Sequence, residues 1–169
     1  MTWTFPLTVR QHLEQVITHR LTWPNPNIWP LQPRGVYLIS EREWDSYPNP
    51  ALIGTCRDPL VRYVGKSDAR TPQFAARVGQ LLIGLAGYGD KTWIGHQGAY
   101  NLLEYVGWQN PSKDPLDFYV AWCTDYVCPG CAEIELYRLF KSTLKQTRPK
   151  KCTSTHPPYH MTAALELEQ

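Results

Sequence analysis

The sequence predicts one α/β domain with a small, mainly antiparallel three-stranded sheet flanked by helices. Runs rich in β-branched and aromatic residues predict the strands, at residues 34–40, 60–65 and 117–122. Apolar residues at helical spacing predict the helices, at about residues 8–21, 72–85 and 130–145. No linker, repeat or low-complexity segment divides the 169 residues. We therefore expect a single domain over residues 1–169, with its core at about 34–151.

The composition is that of a globular chain without a strong charge bias. Hydrophobic residues make up 43% and charged residues 19% of the chain, which excludes an intrinsically disordered protein. The net charge of +2 neither requires nor excludes a nucleic-acid partner. No secretory signal is visible, and the longest apolar run, Leu81 to Ala86, is too short to span a bilayer. We expect a soluble, cytoplasmic protein with no membrane partner, whose cysteines are reduced.

Additions to the predicted core lie on both sides of the first strand. An N-terminal helix over residues 8–21 begins with Thr8 as its N-cap. Prolines interrupt the segment that follows it, residues 23–33, and the connection between the first two strands, residues 41–59, is also long. Such insertions next to a compact core often carry recognition, so we expect ordered loops there.

The first two strands each contain a short tripeptide with a tyrosine, Gly35-Val36-Tyr37 and Tyr63-Val64-Gly65. Because side chains alternate along a strand, pairing the two strands can place Tyr37 and Tyr63 on a common face beside Lys66. The helix after the second tripeptide presents Arg77 on its polar side, where it can meet an anion. A later helix carries two acidic residues in the run Ala132-Glu-Ile-Glu-Leu136.

This order of motifs resembles the GIY-YIG nuclease superfamily, whose two tripeptides here read GVY and YVG. Glu133 and Leu136 match the Glu-x-x-Leu pattern of the same superfamily. The resemblance implies a GIY-YIG-like domain that hydrolyses DNA phosphodiester bonds with Mg²⁺ or Mn²⁺. The catalytic residues that it implies are Tyr37, Tyr63, Lys66, Arg77 and Glu133.

The resemblance also implies a role for each residue. Glu133 offers the oxygen ligand that Mg²⁺ prefers, and Arg77 braces the scissile phosphate. Tyr37, with a pKa lowered by Lys66 and the metal, takes a proton from the attacking water or orients it, and Tyr63 positions water or phosphate. The chain departs from the superfamily in its long connection between the tripeptides and in the absence of an asparagine after Pro149.

Several assignments stay open in the sequence. Arg70 competes with Arg77, because the arginine of the second helix comes later than is usual in the superfamily. Glu135 lies about 200° from Glu133 around the helix, so only one of the two can face a common site. His96 is either a proton-transfer group or a plain hydrogen-bonded histidine.

The cysteines allow a second interpretation of the site chemistry. Cys128-Pro-Gly-Cys131 is a Cys-x₂-Cys pair, and Cys152 with His156 supplies a second pair of ligand types that zinc accepts. A helix between the pairs separates them by about 22 Å, so Cys152 returns only if the next residues are extended. The alternatives to a structural zinc site are inert cysteines or a thiol at a helix N-terminus.

Two function classes follow from these observations. The first is a Mg²⁺-dependent endodeoxyribonuclease, of the sequence-specific restriction type if the insertions read DNA. The second is a non-catalytic or zinc-stabilised nucleic-acid-binding module on the same scaffold. DNA is the expected partner in both cases. A palindromic target calls for two subunits or two binding events, so a homodimer stays open.

Overall fold

A computed structural model describes the parts of the chain that form the predicted core. The described residues are 6–18, 34–43, 60–67, 74–86, 96–109, 111–123, 128–140, 144 and 152. Among them are four strands, at Leu7–Thr8 (β1), Gly35–Ser40 (β2), Val61–Ser67 (β3) and Tyr119–Cys123 (β4). The helices are Val9–Thr18 (α1), Phe74–Leu85 (α2), Gln97–Glu104 (α3) and Pro129–Phe140 (α4). The α/β class predicted from sequence is confirmed.

The sheet has the order β1-β4-β2-β3, and every neighbouring pair is antiparallel. The predicted count of three strands is wrong, because the short strand β1 pairs with β4 through Leu7 and Val120 and through Thr8 and Tyr119. β4 lies inside the sheet, as the apolar run at 117–122 predicts. Among the described strands β3 lies at the edge, which determines where the candidate site forms.

Helix α1 begins as the sequence predicts. Thr8 Oγ1 accepts a hydrogen bond from Gln11 N at 3.1 Å, and Gln11 Oε1 accepts one from Thr8 N at 2.8 Å. This reciprocal pair is a capping box, which satisfies two backbone N–H groups at the start of the helix. The strand β1 therefore leads directly into α1 without a loop.

The two faces of the sheet bury different side chains. We call one the aromatic face; it carries Tyr37, Ile39, Tyr63, Val120 and Trp122 and packs against residues of α1, α2 and α3. The other, the aliphatic face, packs against Ala132 and Leu136 of α4, and its strand residues are Val36, Leu38, Val61, Val64, Ala121 and Cys123. The faces follow from the two-residue period of the strands.

One irregularity in β3 changes its alternation. The register with β2 shifts between Ile39, which pairs with Tyr63, and Ser40, which pairs with Val61. Arg62 is the extra residue of this bulge. Val61 therefore lies on the aliphatic face although Tyr63, two residues later, lies on the aromatic face.

Two details of the predicted helices differ from the structure. The predicted 130–145 helix ends at Phe140 as α4, and Leu139 is exposed. Leu144 is buried with the aromatic face, and its backbone N donates to Arg62 O at 3.4 Å. The predicted cap of α2 at Thr71 and Pro72 lies outside the described residues.

Candidate active site

The predicted pair of tyrosines forms on the aromatic face. Tyr37 of β2 is fully buried and Tyr63 of β3 is nearly so, and their rings stack with centroids 6.1 Å apart. Tyr37 pairs with Gly65, and Ile39 pairs with Tyr63. The antiparallel register therefore places the two rings in diagonal contact across the strand pair.

Two glycines make room for these rings. A Cβ at Gly65 would lie 2.1 Å from Tyr37 Cζ, and a Cβ at Gly98 of α3 would lie 2.6 Å from Tyr63 Cζ. The ring of Tyr37 thus lies over the backbone of β3, the edge strand. Packing explains the glycine at position 65, because only a residue without a Cβ allows the ring of Tyr37 to lie across β3 at that point.

His96 joins the tyrosine pair from the start of α3. Its Nδ1 accepts a hydrogen bond from Ala99 N at 3.2 Å, so the imidazole is the N-cap of the helix. Its Nε2 lies 2.8 Å from Tyr37 Oη. Because Nδ1 is an acceptor, the neutral ring carries its proton on Nε2 and donates it to the tyrosine hydroxyl.

The surroundings of His96 keep it neutral. Burial, together with a smaller effect of the positive charge of Arg77, lowers the pKa of His96 to about 3. The hydrogen-bonded histidine that the sequence left as one alternative is therefore present, and its partner is Tyr37. The signal in the sequence was a polar residue directly before a helix start, which is typical of an N-cap.

Arg77 and Glu133 approach the same tyrosines from different helices. Arg77 of α2 interacts with the hydroxyl of Tyr37 through charge and hydrogen bonding, and its charge also acts on Tyr63 and His96. The carboxylate of Glu133, on α4, acts electrostatically on Tyr63. α4 packs on the opposite face of the sheet, so Glu133 acts on Tyr63 through its charge from the other side of β3.

Burial dominates the ionisation of the tyrosines. It raises the pKa of Tyr37 well above its ordinary value, with a further rise from Tyr63, while Arg77 opposes both. Burial also raises the pKa of Tyr63, although Arg77 and the hydrogen bond with Tyr37 lower it. The expected lowering of the Tyr37 pKa by Lys66 is therefore wrong, and both hydroxyls keep their protons at neutral pH.

Lys66 lies away from the tyrosines. It pairs with Val36 of the aliphatic face, and the strand alternation gives it the same direction as Val64. A Cβ at Gly130, in the first turn of α4, would lie 3.7 Å from Lys66 Nζ. The prediction that Lys66 stands beside Tyr37 and Tyr63 is wrong, because the pleat turns it to the other face.

Three cysteines meet at the N-terminus of α4. Cys128 directly precedes the helix, Cys131 lies in its first turn, and the Sγ atoms of Cys128 and Cys152 are 3.4 Å apart. The three Sγ atoms lie within 4.8 Å of one another. Cys152 therefore does return to the helix start, and residues 145–151, which the sequence predicts must be extended for this return, lie outside the described residues. His156 lies outside the described residues.

Glu133 and the three cysteines offer ligands that suit different metal ions. A single carboxylate at Glu133, next to tyrosine hydroxyls, is a donor set that fits Mg²⁺ or Mn²⁺, which retain several waters. Three thiol groups fit zinc much better than magnesium. Glu135 forms an ion pair with Arg138 at 3.1 Å instead of joining the tyrosines. Arg70 lies outside the described residues.

The chain matches no protein-family model, no curated protein and no solved structure in comparisons with known proteins. The resemblance to the GIY-YIG superfamily therefore rests on the sequence motifs. In the part of the chain that the structure describes, no helix has the length and hydropathy to cross a membrane.

Proposed function

We propose that this protein is a divalent-metal-dependent DNA endonuclease, of the restriction type in which loop insertions read the target. The observation that carries the proposal is the stacked pair Tyr37 and Tyr63, on which the charges of Arg77 and Glu133 act. These residues come from four separate elements, β2, β3, α2 and α4. A cation, a carboxylate and two hydroxyls that interact with one another are the kinds of group that phosphodiester hydrolysis uses.

Tyr37 acts as a neutral, fixed hydroxyl in this proposal. His96 donates to its oxygen, so the hydroxyl proton of Tyr37 is directed elsewhere, toward Tyr63 or an attacking water. A hydroxyl held in this way orients a water for in-line attack without being ionised. His96 is then a positioning residue, because both of its ring nitrogens are already used.

Arg77 supplies the positive charge at the site. Its interaction with the hydroxyl of Tyr37 supports a role in which the guanidinium contacts a scissile phosphate at the tyrosine pair. A guanidinium stabilises the extra negative charge of the pentavalent transition state.

Glu133 would hold the divalent cation. When bound, Mg²⁺ or Mn²⁺ supplies charge neutralisation and a more acidic water. The residue is partly exposed on α4, near Tyr63, so a hydrated ion has access to it. Glu135 belongs to the ion pair with Arg138, which favours Glu133 over Glu135 as the ligand.

Cleavage of plasmid DNA tests the proposal. Supercoiled and linear plasmids are incubated with wild type, Glu133→Gln and Arg77→Ala, in Mg²⁺, in Mn²⁺ and in EDTA. Wild type is expected to give discrete fragments only with metal, and both variants to lose at least 100-fold in rate, which is roughly the effect of removing one transition-state contact. Glu135→Gln is the matched control on the same helix and should cut like wild type.

The binding-module alternative predicts a different result. If wild type binds DNA in a fluorescence anisotropy assay but leaves every plasmid intact in both metals, the nuclease proposal is wrong. If Glu133→Gln cuts as well as wild type, the metal assignment is wrong. Binding by Glu133→Gln with unchanged affinity separates a loss of chemistry from a loss of DNA contact.

A further inference from the structure

The thiol cluster formed by Cys128, Cys131 and Cys152 has no part in the proposed DNA chemistry. Cys128 directly precedes α4 and Cys131 lies in its first turn, while Cys152 lies 24 residues beyond Cys128 in the sequence. Cys128 is buried and the other two are half-buried. A segment distant in sequence therefore returns to place a third sulfur beside a Cys-x₂-Cys pair.

The distances distinguish between a disulfide and a metal site. A disulfide requires two sulfurs about 2.05 Å apart. Sulfurs that bind one tetrahedral zinc at about 2.3 Å are separated by about 3.8 Å. The Sγ atoms of Cys128 and Cys152 are 3.4 Å apart, all three Sγ atoms lie within 4.8 Å of one another, and none of the three cysteines forms a disulfide in the structure. The cluster therefore has the dimensions of a metal site and needs only small adjustments around an ion.

Positive charge lies close to the three sulfurs. The N-terminus of α4 directs backbone N–H groups and the positive end of its dipole toward them. The ideal Cβ position at Gly130 lies 3.6 Å from Cys152 Sγ, 3.7 Å from Cys128 Sγ and 3.7 Å from Lys66 Nζ, so the ammonium of Lys66 is close to the cluster. A zinc ion with three thiolates carries a net negative charge that these groups offset.

We propose that Cys128, Cys131 and Cys152 bind one structural Zn²⁺, which ties the first turn of α4 to the segment that carries Cys152. Glu133 follows Cys131 by two residues, so the ion also fixes the part of the helix from which Glu133 extends. In this proposal the ammonium of Lys66 offsets the negative charge of the zinc site and does not act on the tyrosine pair. The zinc inference does not depend on nuclease activity, because it concerns the thiols alone.

Metal content and cobalt substitution test this site. Full-length protein purified without added metal is expected to contain one zinc per chain. After zinc is removed under reducing conditions, added Co²⁺ is expected to give the visible bands of tetrahedral cobalt and a sulfur-to-cobalt charge-transfer band. Cys128→Ala, Cys131→Ala and Cys152→Ala should each lose these bands. Cys123→Ala, a buried cysteine of β4 outside the cluster, is the matched control and should keep them.

Thermal unfolding provides a second measurement. Removal of the zinc should lower the unfolding temperature by about 10 °C or more, because structural zinc contributes several kcal/mol to folding. Wild type that contains no zinc and gives no cobalt spectrum when reduced would overturn the proposal. So would a Cys128–Cys152 disulfide in protein isolated with its thiols blocked. If the alanine variants do not fold, the wild-type cobalt spectrum alone decides.

The zinc site and the nuclease fail in distinguishable ways. Glu133→Gln should lose DNA cleavage and keep its zinc, since it is outside the cluster. A protein that holds zinc but never cuts DNA would refute the proposed function and leave the zinc site in place. A protein that cuts DNA but contains no zinc would refute the zinc site and leave the proposed function in place.

Discussion

The aromatic and aliphatic faces belong to the same strands, yet they differ in the chemistry that they bury. The aromatic face encloses hydroxyl and imidazole groups. Tyr37 is hydrogen-bonded to His96, and His12 stacks on Trp122 with the ring centroids 5.1 Å apart. The aliphatic face buries mainly aliphatic side chains under helix α4. One face therefore holds groups whose exact placement matters, while the other supplies apolar contact area.

The difference shows how an edge strand can host a site. Tyr37 of the aromatic face reaches the edge strand because Gly65 lets its ring lie across β3, and Glu133 of α4 acts on Tyr63 through its charge from the other side. Neither face alone carries all four charged and hydroxyl groups. Substitutions on the aromatic face should change activity, while substitutions on the aliphatic face should change mainly stability.

The largest effect is expected from Gly65→Ala. Its Cβ would lie 2.1 Å from Tyr37 Cζ, so the ring must move and the hydrogen bond to His96 is lost. We expect cleavage to fall to background and stability to fall by about 3 kcal/mol, measured by urea unfolding. In a Tyr37→Ala background the same change should be almost neutral, since the clash is gone. Gly107→Ala, where nothing lies within 4 Å, is the control.

The next effect is expected from Tyr37→Phe. This change keeps the ring but leaves Nε2–H of His96 without its acceptor in a buried site. We expect cleavage to fall about 100-fold or more and stability to fall by about 1–3 kcal/mol. Single-turnover cleavage and thermal unfolding measure the two effects. Tyr119→Phe, at a half-buried position of β4, should leave both unchanged, and an equal loss there would rule out a specific role for Tyr37.

The buried histidines should make stability depend on pH. Burial lowers the pKa of His12 to about 4, against a small opposing effect of the Val120 carbonyl, and lowers that of His96 to about 3. The unfolded chain therefore takes up protons first as the pH falls below about 6.5. Stability should be full above that pH and decline toward pH 4, by up to about 3 kcal/mol for His12.

Urea unfolding between pH 7.5 and 4.5 measures this decline. His12→Asn should reduce its slope, because it removes one of the two histidines that are buried in the described part of the chain. A slope that is the same in wild type and His12→Asn would show that other groups determine the pH dependence.

The smallest effect is expected from the aliphatic face. Val36→Ala removes two buried methyl groups at a fully buried position and should reduce stability by about 2 kcal/mol. Cleavage at a temperature well below unfolding should stay within a few-fold of wild type. A loss of activity as large as that of Tyr37→Phe would show that the two faces are not separable in this way.

The sequence predicts the parts of the fold that follow from local periodicity. Alternation and β-branched composition locate β2, β3 and β4, and pairing of the tripeptides places Tyr37 and Tyr63 together. The strand β1 is missed because two residues give no periodic signal. The direction of Lys66 follows from the same alternation, because Lys66 lies two residues after Val64 and therefore points to the same face of the strand.

Other features depend on the path of the chain in three dimensions. The return of Cys152 to Cys128 and the passage of Leu144 to the aromatic face are long-range contacts that no local spacing encodes. The contact of His96 with Tyr37 joins residues 59 positions apart. The sequence predicts that Arg77 lies on the polar side of its helix, and in the structure it interacts with Tyr37. A contact between Arg77 and a phosphate stays a prediction.

The connection between β2 and β3 is closed at its base by a bond between main-chain atoms. Glu41 N donates to Leu60 O at 3.2 Å, and the carboxylate of Glu41 also binds Arg62, Tyr105 and Lys113. Once its two ends are fixed, lengthening a loop costs little free energy, about 0.6 kcal/mol for each doubling. Evolution can therefore exchange or extend the segment between residues 41 and 60 while the tyrosine pair keeps its register. The same base makes this segment the place where a protein engineer could graft new loops onto the scaffold.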